Sequence, residues 1–179
     1  MKKVCIVGAK GYIGSQLLID LKKKYKIISV SRKNINEKEI RSGIFKKITG
    51  DIKLKRTIKK IVNEKPEYII YVSGFNHFKS EKSLELTLNN NNNPLINLCK
   101  EISKNKNFKK IIYFSSFQVY GNYQEHKIID DNIQKNPKNY YGLSHSINED
   151  LLKIAKLKFN INYDIIRLTN SYGYPTLSS

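Results

Sequence analysis

Three glycines follow directly on the first apolar segment of the chain and open its first helical repeat. Gly8, Gly11 and Gly14 form a GxxGxxG pattern between a β-branched strand and a helix. In such a turn the first glycine permits the tight bend, the second lets the backbone approach a pyrophosphate, and the third lets the helix pack on the strand. The free N–H groups of the helix N-terminus favour an anion. The pattern predicts a dinucleotide-binding turn, with Tyr12 and Ile13 as part of it.

Apolar segments typical of buried strands alternate with helical repeats along the chain. Strands are predicted at residues 4–7, 27–30, 44–48, 68–72, 111–114 and 163–168. Helices are predicted at residues 11–24, 54–62, 84–102 and 141–157, with a weak point at residues 89–94. Continuous apolar strands separated by helices indicate a parallel sheet covered on both faces. Right-handed crossovers then predict an α/β, Rossmann-type doubly wound sheet with its ligand at the carboxyl ends of the strands.

The end of the second strand bears on which dinucleotide binds. An Asp or Glu there would bond the ribose 2′-hydroxyl and favour NAD, but this chain has Ser31, Arg32 and Lys33 instead. A hydroxyl and two cations suit a 2′-phosphate, so we expect NADP, with NAD as the alternative. The competing interpretation is that Arg32 and Lys33 belong to a generally basic surface.

That basic surface follows from composition. The 179 residues include 33 Lys and Arg against 15 Asp and Glu, a formal net charge of +18. The excess is spread along the chain rather than concentrated in one patch, so we expect no specific nucleic-acid site, and a nucleic-acid-associated protein is the least favoured hypothesis. Such a protein would bind with an affinity that falls steeply with salt.

Other classes of protein are disfavoured by what the sequence lacks. No apolar run approaches the roughly 18–20 residues that span a bilayer, so we expect no membrane segment. Cys5 and Cys99 both lie in apolar patterns, which favours buried thiols and a reducing, cytoplasmic location. No Cys and His grouping has zinc-site spacing, and we expect no metal.

With these motifs in order, the chain resembles the extended short-chain dehydrogenase/reductase family, in particular the NAD-dependent epimerase/dehydratase group that acts on nucleotide sugars. GxxGxxG is the form of the glycine turn in that family. The resemblance covers residues 1 to about 175. Its further motifs are Gly50-Asp51-Ile52, Val72-Ser73-Gly74, Asn90, the segment 114–121, Pro137-x-x-x-Tyr141-Gly142-Leu143-Ser144-His145, and Arg167-x-x-Asn170-Ser171-Tyr172-Gly173.

The resemblance implies roles for these positions. Asp51 and Ile52 would contact adenine. The other cofactor contacts that it implies are Val72, Ser73, Gly74 and Asn90.

The resemblance also implies hydride transfer at a sugar carbon. Tyr141 would exchange the hydroxyl proton, and Ser116 would hydrogen-bond the same oxygen. Tyr140 is an alternative phenol, but the Tyr-Gly order favours Tyr141. A phenol of pKa near 10 needs a nearby cation to act as a base at neutral pH.

The family places a lysine four residues after the tyrosine, and here that position holds His145. A neutral imidazole would depress the pKa of the tyrosine less than a lysine would. Three interpretations stay open: His145 substitutes with reduced efficiency, the protein binds cofactor without turnover, or a lysine enters from elsewhere.

The substrate side is less defined. Asn76, Tyr120 and Asn170 are candidate contacts to a nucleotide sugar, whereas His77 is expected to be an exposed loop histidine. Residues 1–175 form the predicted cofactor domain, and residues 176–179 a tail where relatives begin a substrate domain. The family also implies a homodimer through the helices at 84–102 and 141–157. A dinucleotide sensor or scaffold without chemistry is the main alternative function.

Overall fold

The computed structural model describes residues 1–35, 44–121 and 133–172 of the chain. Six strands form one sheet: β1 (Lys3–Val7), β2 (Lys26–Ser31), β3 (Lys46–Thr49), β4 (Tyr68–Tyr71), β5 (Lys110–Ser116) and β6 (Tyr163–Leu168). The described helices are α1 (Tyr12–Leu21), α2 (Lys55–Asn63), α3 (His77–Ser80), α4 (Leu84–Asn91), α5 (Asn93–Ile102) and α6 (Tyr140–Phe159), and a 3₁₀ turn spans Phe117–Tyr120.

All the strand pairs are parallel, in the order β3-β2-β1-β4-β5-β6. The strand order reverses between β1 and β4, which is the arrangement of a doubly wound sheet with its ligand crevice at that reversal. The predicted Rossmann-type α/β fold is confirmed. The predicted end of the domain at residue 175, the tail 176–179 and Gly173 lie outside the described residues.

Alternate residues of the strands feed two separate cores, one on each face of the sheet. Cys5 and Val7 belong to a cluster with apolar residues of α2, α5 and α6, whereas Val4 and Ile6 pack with Leu18 of α1. The period of two along β1 therefore buries both faces, as a central parallel strand requires. Cys99 is also buried, and it and Cys5 are free thiols. Within the described residues no helix is long and apolar enough to cross a membrane.

The predicted helix at 84–102 is two helices. It breaks at Asn92, which separates α4 from α5 and has a φ of −102° and a ψ of −53°. Pro94 lies in the first turn of α5, where its missing N–H costs no helical hydrogen bond. The helix α3 was not predicted; the side chain of Asn76 caps it by accepting from the Lys79 N–H at 3.1 Å. Strand β3 begins two residues later than predicted.

Candidate functional site

A cavity of about 610 Å³ opens at the carboxyl ends of β1, β2, β3 and β4. We call it the glycine cleft. It is lined by Val7, Gly8, Lys10, Gly11, Val30, Ser31, Arg32, Lys33, Gly50, Asp51, Ile52, Lys53, Val72, Ser73, Gly74, Phe75, Lys79 and Asn90. Ten residues predicted to bind cofactor are in that lining, namely Gly8, Gly11, Ser31, Arg32, Asp51, Ile52, Val72, Ser73, Gly74 and Asn90. The cleft lies where the topology alone places a ligand.

The glycine turn is shaped by close backbone approaches. Gly8 has a φ of +96°, and a Cβ there would lie 3.0 Å from the Val72 carbonyl carbon and oxygen. A Cβ on Gly14 would overlap the Gly8 carbonyl. Neither position tolerates a side chain without movement of the backbone. The turn is closed by the Gly8 and Ala9 N–H groups, which both donate to the Val30 carbonyl, at 2.9 and 3.0 Å.

The N-terminus of α1 follows this turn without a side-chain cap. Gly11 is the N-cap residue, and no side chain accepts from the first turn of the helix there. Tyr12, Ile13 and Gly14 form that first turn, and they lie next to the cleft lining rather than in it. An anion in the cleft would satisfy N–H groups that a Ser or Asp cap satisfies in other helices.

The charge of the cleft is strongly positive. Among the described residues of its lining, Asp51 is the single carboxylate, against the five basic residues Lys10, Arg32, Lys33, Lys53 and Lys79. The Asp51 carboxylate accepts from the Lys53 N–H at 2.9 Å and lies 3.8 Å from the Lys53 ammonium. Low-dielectric walls around several cations concentrate the field on an anion, so the cleft attracts phosphate groups.

Ser31 and Arg32 hold the position predicted for the ribose contact. The Ser31 hydroxyl donates to the Lys33 carbonyl at 2.7 Å, which fixes the turn after β2 on which Arg32 lies exposed. Lys10 reaches the same turn and donates to the Asn34 carbonyl at 3.2 Å. Lys79 and Phe75 are cleft residues that the sequence reasoning missed. The one available indication was Asn76 as an N-cap, which predicts the short helix that carries Lys79.

The predicted catalytic residues lie on two adjacent elements. Ser116 ends β5 and caps the 3₁₀ turn by accepting from the Gln118 N–H at 3.2 Å. Tyr141 is in the first turn of α6, which Asn139 caps through the Gly142 N–H at 2.7 Å. Burial raises the pKa of Tyr141 above its usual 10, although a hydrogen bond with Ser116 acts in the opposite direction. The structure therefore brings the Ser116 hydroxyl and the Tyr141 phenol together.

His145 lies one turn further along α6, with its ring centroid 4.5 Å from that of Tyr141 in an edge arrangement. Its Nδ1 is 2.7 Å from the hydroxyl of Tyr113. Burial lowers the pKa of His145 to about 4, against the opposing charge of Glu149. The ring is therefore neutral at pH 7, and it brings no cation to Tyr141.

Behind His145 lies a buried ionic group centred on Glu149, which is 1% exposed. Its carboxylate accepts two bonds from Arg167, at 2.9 and 2.8 Å, and one from the Ser115 hydroxyl at 2.7 Å. Burial would raise the pKa of Glu149, but these bonds to Arg167 and Ser115 outweigh it and hold the pKa below its usual value. Arg167 also donates to the Tyr120 hydroxyl at 2.5 Å and stacks on its ring.

The three predicted substrate contacts have different surroundings. Tyr120 is 6% exposed and its hydroxyl is engaged by Arg167. Asn76 is exposed and serves as the cap of α3, and Asn170 is exposed two residues after β6. His77, predicted to be an exposed loop residue, is instead partly buried in α3 with its ring 6.2 Å from that of Tyr141.

Residues 89–93 are all asparagine, and two of them join the wall of the glycine cleft to helix α6. Asn91 accepts from the Phe75 N–H at 2.6 Å, in the wall of the glycine cleft, and donates to the Ser144 hydroxyl at 2.9 Å on α6. Asn92 donates to the Ser144 carbonyl and to the Asn148 side chain, both at 2.8 Å. Asn90, by contrast, borders the cleft and donates to the Leu86 carbonyl at 2.6 Å.

Metal ligands are not grouped in the described part of the chain. A search of those residues finds no cluster of three or more His, Cys, Asp or Glu side chains that could hold an ion.

A parallel sheet with a glycine-walled, cationic cleft at its strand-order reversal defines a Rossmann-type nucleotide-binding class of protein. The sequence model of the NAD dependent epimerase/dehydratase family matches residues 4–178. The chain belongs to this family.

Two relatives illustrate the similarity. The dTDP-D-glucose 4,6-dehydratase of Dictyostelium discoideum is 29% identical over 199 residues, which cover 97% of this chain and 44% of that protein. A putative UDP-glucose 4-epimerase of Methanocaldococcus jannaschii is 27% identical over 174 residues, which cover 95% and 56%. The chain therefore spans about half the length of these relatives.

Solved structures show the same fold. The UDP-glucose 4-epimerase of Thermotoga maritima with UDP-glucose superposes with a TM-score of 0.86 at 20% identity, over 97% of this chain and 57% of that one. The UDP-glucose 4-epimerase of Thermus thermophilus in complex with NAD gives a TM-score of 0.83 at 18% identity, over 92% and 54%.

Proposed function

We propose that this chain is the cofactor-binding part of an NAD(P)-dependent enzyme that transfers hydride at a carbinol or ketone carbon of a nucleotide sugar. The observation that carries the proposal is the glycine cleft, in which an uncapped helix N-terminus and five basic side chains face a cavity at the carboxyl ends of the strands. Backbone amides and cations of this kind bind a pyrophosphate, and the small residues Val72, Ser73 and Gly74 leave room beside it.

In the chemical step Tyr141 gives or takes the proton of the sugar hydroxyl, and Ser116 holds the same oxygen. The hydrogen bond between the two side chains supports these roles, because both hydroxyls then face one substrate oxygen. The bound nicotinamide supplies or accepts the hydride. Asn76, Tyr120 and Asn170 remain the proposed substrate contacts, and among them Tyr120 has the least freedom because Arg167 engages its hydroxyl.

We assign NADP as the preferred cofactor, with NAD as the alternative that the relative solved with NAD favours. Arg32 is exposed at the end of β2, on the turn that Ser31 fixes, where its guanidinium could pair with a 2′-phosphate. A charge-assisted contact to phosphate is worth about 1.5–3 kcal/mol, or roughly 10–100-fold in affinity.

Calorimetric titration of the chain with NADP and NAD tests the cleft and the Arg32 role together. We expect NADP to bind more tightly, and Arg32→Ala to lose about tenfold for NADP and little for NAD. Arg56→Ala is the matched control, because Arg56 is exposed on α2 and does not line the cleft. If neither dinucleotide binds, the proposed function is wrong; if NAD binds more tightly, only the NADP assignment is.

A dinucleotide sensor without chemistry is the second candidate, and the neutral His145 beside Tyr141 favours it. Assays of the parent and of Tyr141→Phe with UDP-glucose, dTDP-glucose and UDP-glucuronate separate the two. Turnover in the parent that is lost in Tyr141→Phe, with dinucleotide affinity unchanged, supports the enzyme. Dinucleotide binding by a parent that turns over none of the three supports the sensor.

We also propose a homodimer through α4 and α6. Leu157 and Ile154 of α6 are 81% and 44% exposed, and Leu86 of α4 is 54% exposed, which gives both helices apolar side chains that a partner helix would cover. Sedimentation of the parent and of Leu157→Lys tests this, with a dimer expected only for the parent. A cytoplasmic location stays our expectation because Cys5 and Cys99 are buried free thiols.

A further inference from the structure

The phenol of Tyr113 occupies a position in which its hydroxyl does more than fill the core. Tyr113 is on β5 and is 2% exposed. Its oxygen contacts the side chains of two residues of α6, the Nδ1 of His145 at 2.7 Å and the Nδ2 of Asn148 at 2.9 Å. The hydrogen-bond directions among the Tyr113 hydroxyl, the His145 ring and the Asn148 amide determine which ring nitrogen of His145 carries the proton.

The orientation of Asn148 is fixed without reference to His145. Its Nδ2 also donates to the Asn91 carbonyl at 2.9 Å, and a carbonyl can only accept. Its Oδ1 accepts from Asn92 at 2.8 Å, and Asn92 is itself oriented because the same amide nitrogen donates to the Ser144 carbonyl. Asn148 is therefore a donor toward Tyr113.

The proton of Tyr113 then has one acceptor in this cluster. Its oxygen accepts from Asn148, so the hydroxyl hydrogen goes to the Nδ1 of His145. An Nδ1 that accepts a hydrogen bond carries no proton, and a neutral imidazole of this kind has its proton on Nε2.

The charges around His145 do not favour a cation. Tyr113 faces it from β5, and Tyr141 and Glu149 face it from α6. Glu149 is the only anion of these, and it is already paired with Arg167 at 2.8 Å and with Lys135 at 3.7 Å. The effect of burial is therefore larger than the opposing effect of the Glu149 charge, and it lowers the pKa of His145 to about 4.

We propose that Tyr113 is a positioning residue that holds His145 as the neutral Nε2–H tautomer, so that α6 offers Tyr141 and its ligands an N–H donor instead of a cation. The proposal deepens the proposed function and rests on it for its catalytic meaning. No cation of the described residues acts on the phenol of Tyr141, so it stays protonated to higher pH, and at neutral pH it acts more readily as a proton donor than as a base.

The test is ¹⁵N NMR of the imidazole nitrogens in the chain labelled at histidine, without ligand. His145→Gln assigns the His145 signals among the three histidines. In the parent we expect the Nε2–H pattern at pH 7 and no protonation down to pH 6. In Tyr113→Phe we expect both nitrogen signals to move toward averaged values, because Nδ1 has lost its donor.

Tyr71→Phe is the matched control. Tyr71 is the register partner of Tyr113 on β4, its ring is 6.2 Å from that of Tyr113, and its buried hydroxyl has no hydrogen-bond partner in the part of the chain that the structure describes. This substitution therefore removes the same atom from the same core and should leave the His145 signals unchanged.

The possible results distinguish failure of the Tyr113 proposal from failure of the proposed function. An Nδ1–H tautomer or an imidazolium of His145 in the parent at pH 7 overturns the proposal even if Tyr113→Phe does not fold. Equal spectra for Tyr113→Phe and the parent overturn it as well. If the tautomer depends on Tyr113 but neither NAD nor NADP binds, the proposed function fails and the assignment of Tyr113 stands.

Discussion

The glycine cleft and the region around Tyr141 are built on opposite principles. The cleft is open, cationic and made mostly of backbone from four adjacent turns, with exposed side chains such as Arg32 and Lys79 at its edge. The region around Tyr141 is buried, its His145 is neutral, and its polar groups bond to one another across β5, α4 and α6. The proposed binding site thus depends on local turns, whereas the proposed catalytic region depends on contacts between distant segments.

The two regions also differ in how their charged side chains are stabilised. In the cleft, water solvates the excess of cations until an anion displaces it, so the charges cost little in the folded state. Behind Tyr141 and His145 the carboxylate of Glu149 is buried and needs Arg167 and Ser115 to remain ionised. Removing a carboxylate should therefore lower the free energy of unfolding much more around Tyr141 than in the cleft.

The largest expected effect is that of Glu149→Ala. The substitution leaves Arg167 next to a buried space without its anion, and breaking such a pair costs about 3–5 kcal/mol in the free energy of unfolding. The matched change in the cleft is Asp51→Ala, which removes one bond from the Lys53 N–H and should cost about 1 kcal/mol. Urea denaturation measures both, and equal losses would contradict the contrast between the regions.

Next in size is Gly8→Ala. A methyl group there combines a φ of +96° with approaches of 3.0 Å to the Val72 backbone, so we expect a loss of about 2–4 kcal/mol and no measurable dinucleotide binding. Gly11→Ala is the milder control, since its Cβ would lie 3.2 Å from a single atom, the Gly8 carbonyl oxygen. Thermal unfolding and calorimetric titration measure the stability and the dinucleotide affinity of both variants. Equal losses in Gly8→Ala and Gly11→Ala would contradict the role given to the backbone conformation at Gly8.

The third prediction concerns pH. The pKa of His145 is lowered from 6.5 to about 4, so the unfolded chain binds more protons than the folded one between these values. The contribution of His145 is complete above pH 6.5 and is lost as pH falls toward 4, by up to about 3 kcal/mol. His145→Gln should show a shallower fall of unfolding free energy over this window. A parallel fall in both proteins would mean that His145 titrates normally.

The smallest effect on stability is expected for Lys79→Ala. Lys79 is an exposed cleft residue, so unfolding should change by less than about 0.5 kcal/mol. Dinucleotide affinity should nevertheless fall several-fold at low salt, and the loss should shrink as salt screens the cleft. Lys23→Ala, exposed after α1 and outside the cleft, is the control, and an equal loss of affinity there would assign the effect to overall charge.

The fold was predictable because its determinants are local. The span of β6, Tyr163–Leu168, matches the prediction, and the strand-to-helix turn at Gly8 follows from a motif seven residues long. The limits of α4 and α5 were less accessible, since the backbone of Asn92 breaks the helix while its side chain bonds to residues 52 and 56 positions away.

The candidate site divides in the same way. Ten residues of the glycine cleft could be named from short motifs, because all of them except Asn90 lie at or just after a strand end and the topology brings strand ends together. The hydroxyl of Tyr113 could not be assigned, since a tyrosine in an apolar strand looks the same whether its partner is His145, 32 residues away, or nothing, as for Tyr71. Only packing distinguishes the two.

The side chain of Asn91 connects the glycine cleft with the region around Tyr141. Its side-chain oxygen holds the backbone of Phe75 at 2.6 Å, while its nitrogen holds Ser144, whose hydroxyl in turn donates to the carbonyl of Tyr141. A molecule that pushes the Phe75 loop outward must break the first of these bonds or pull the start of α6 with it. The side-chain amide of Asn91 therefore links the wall of the cleft to the first turn of the helix that carries the phenol of Tyr141.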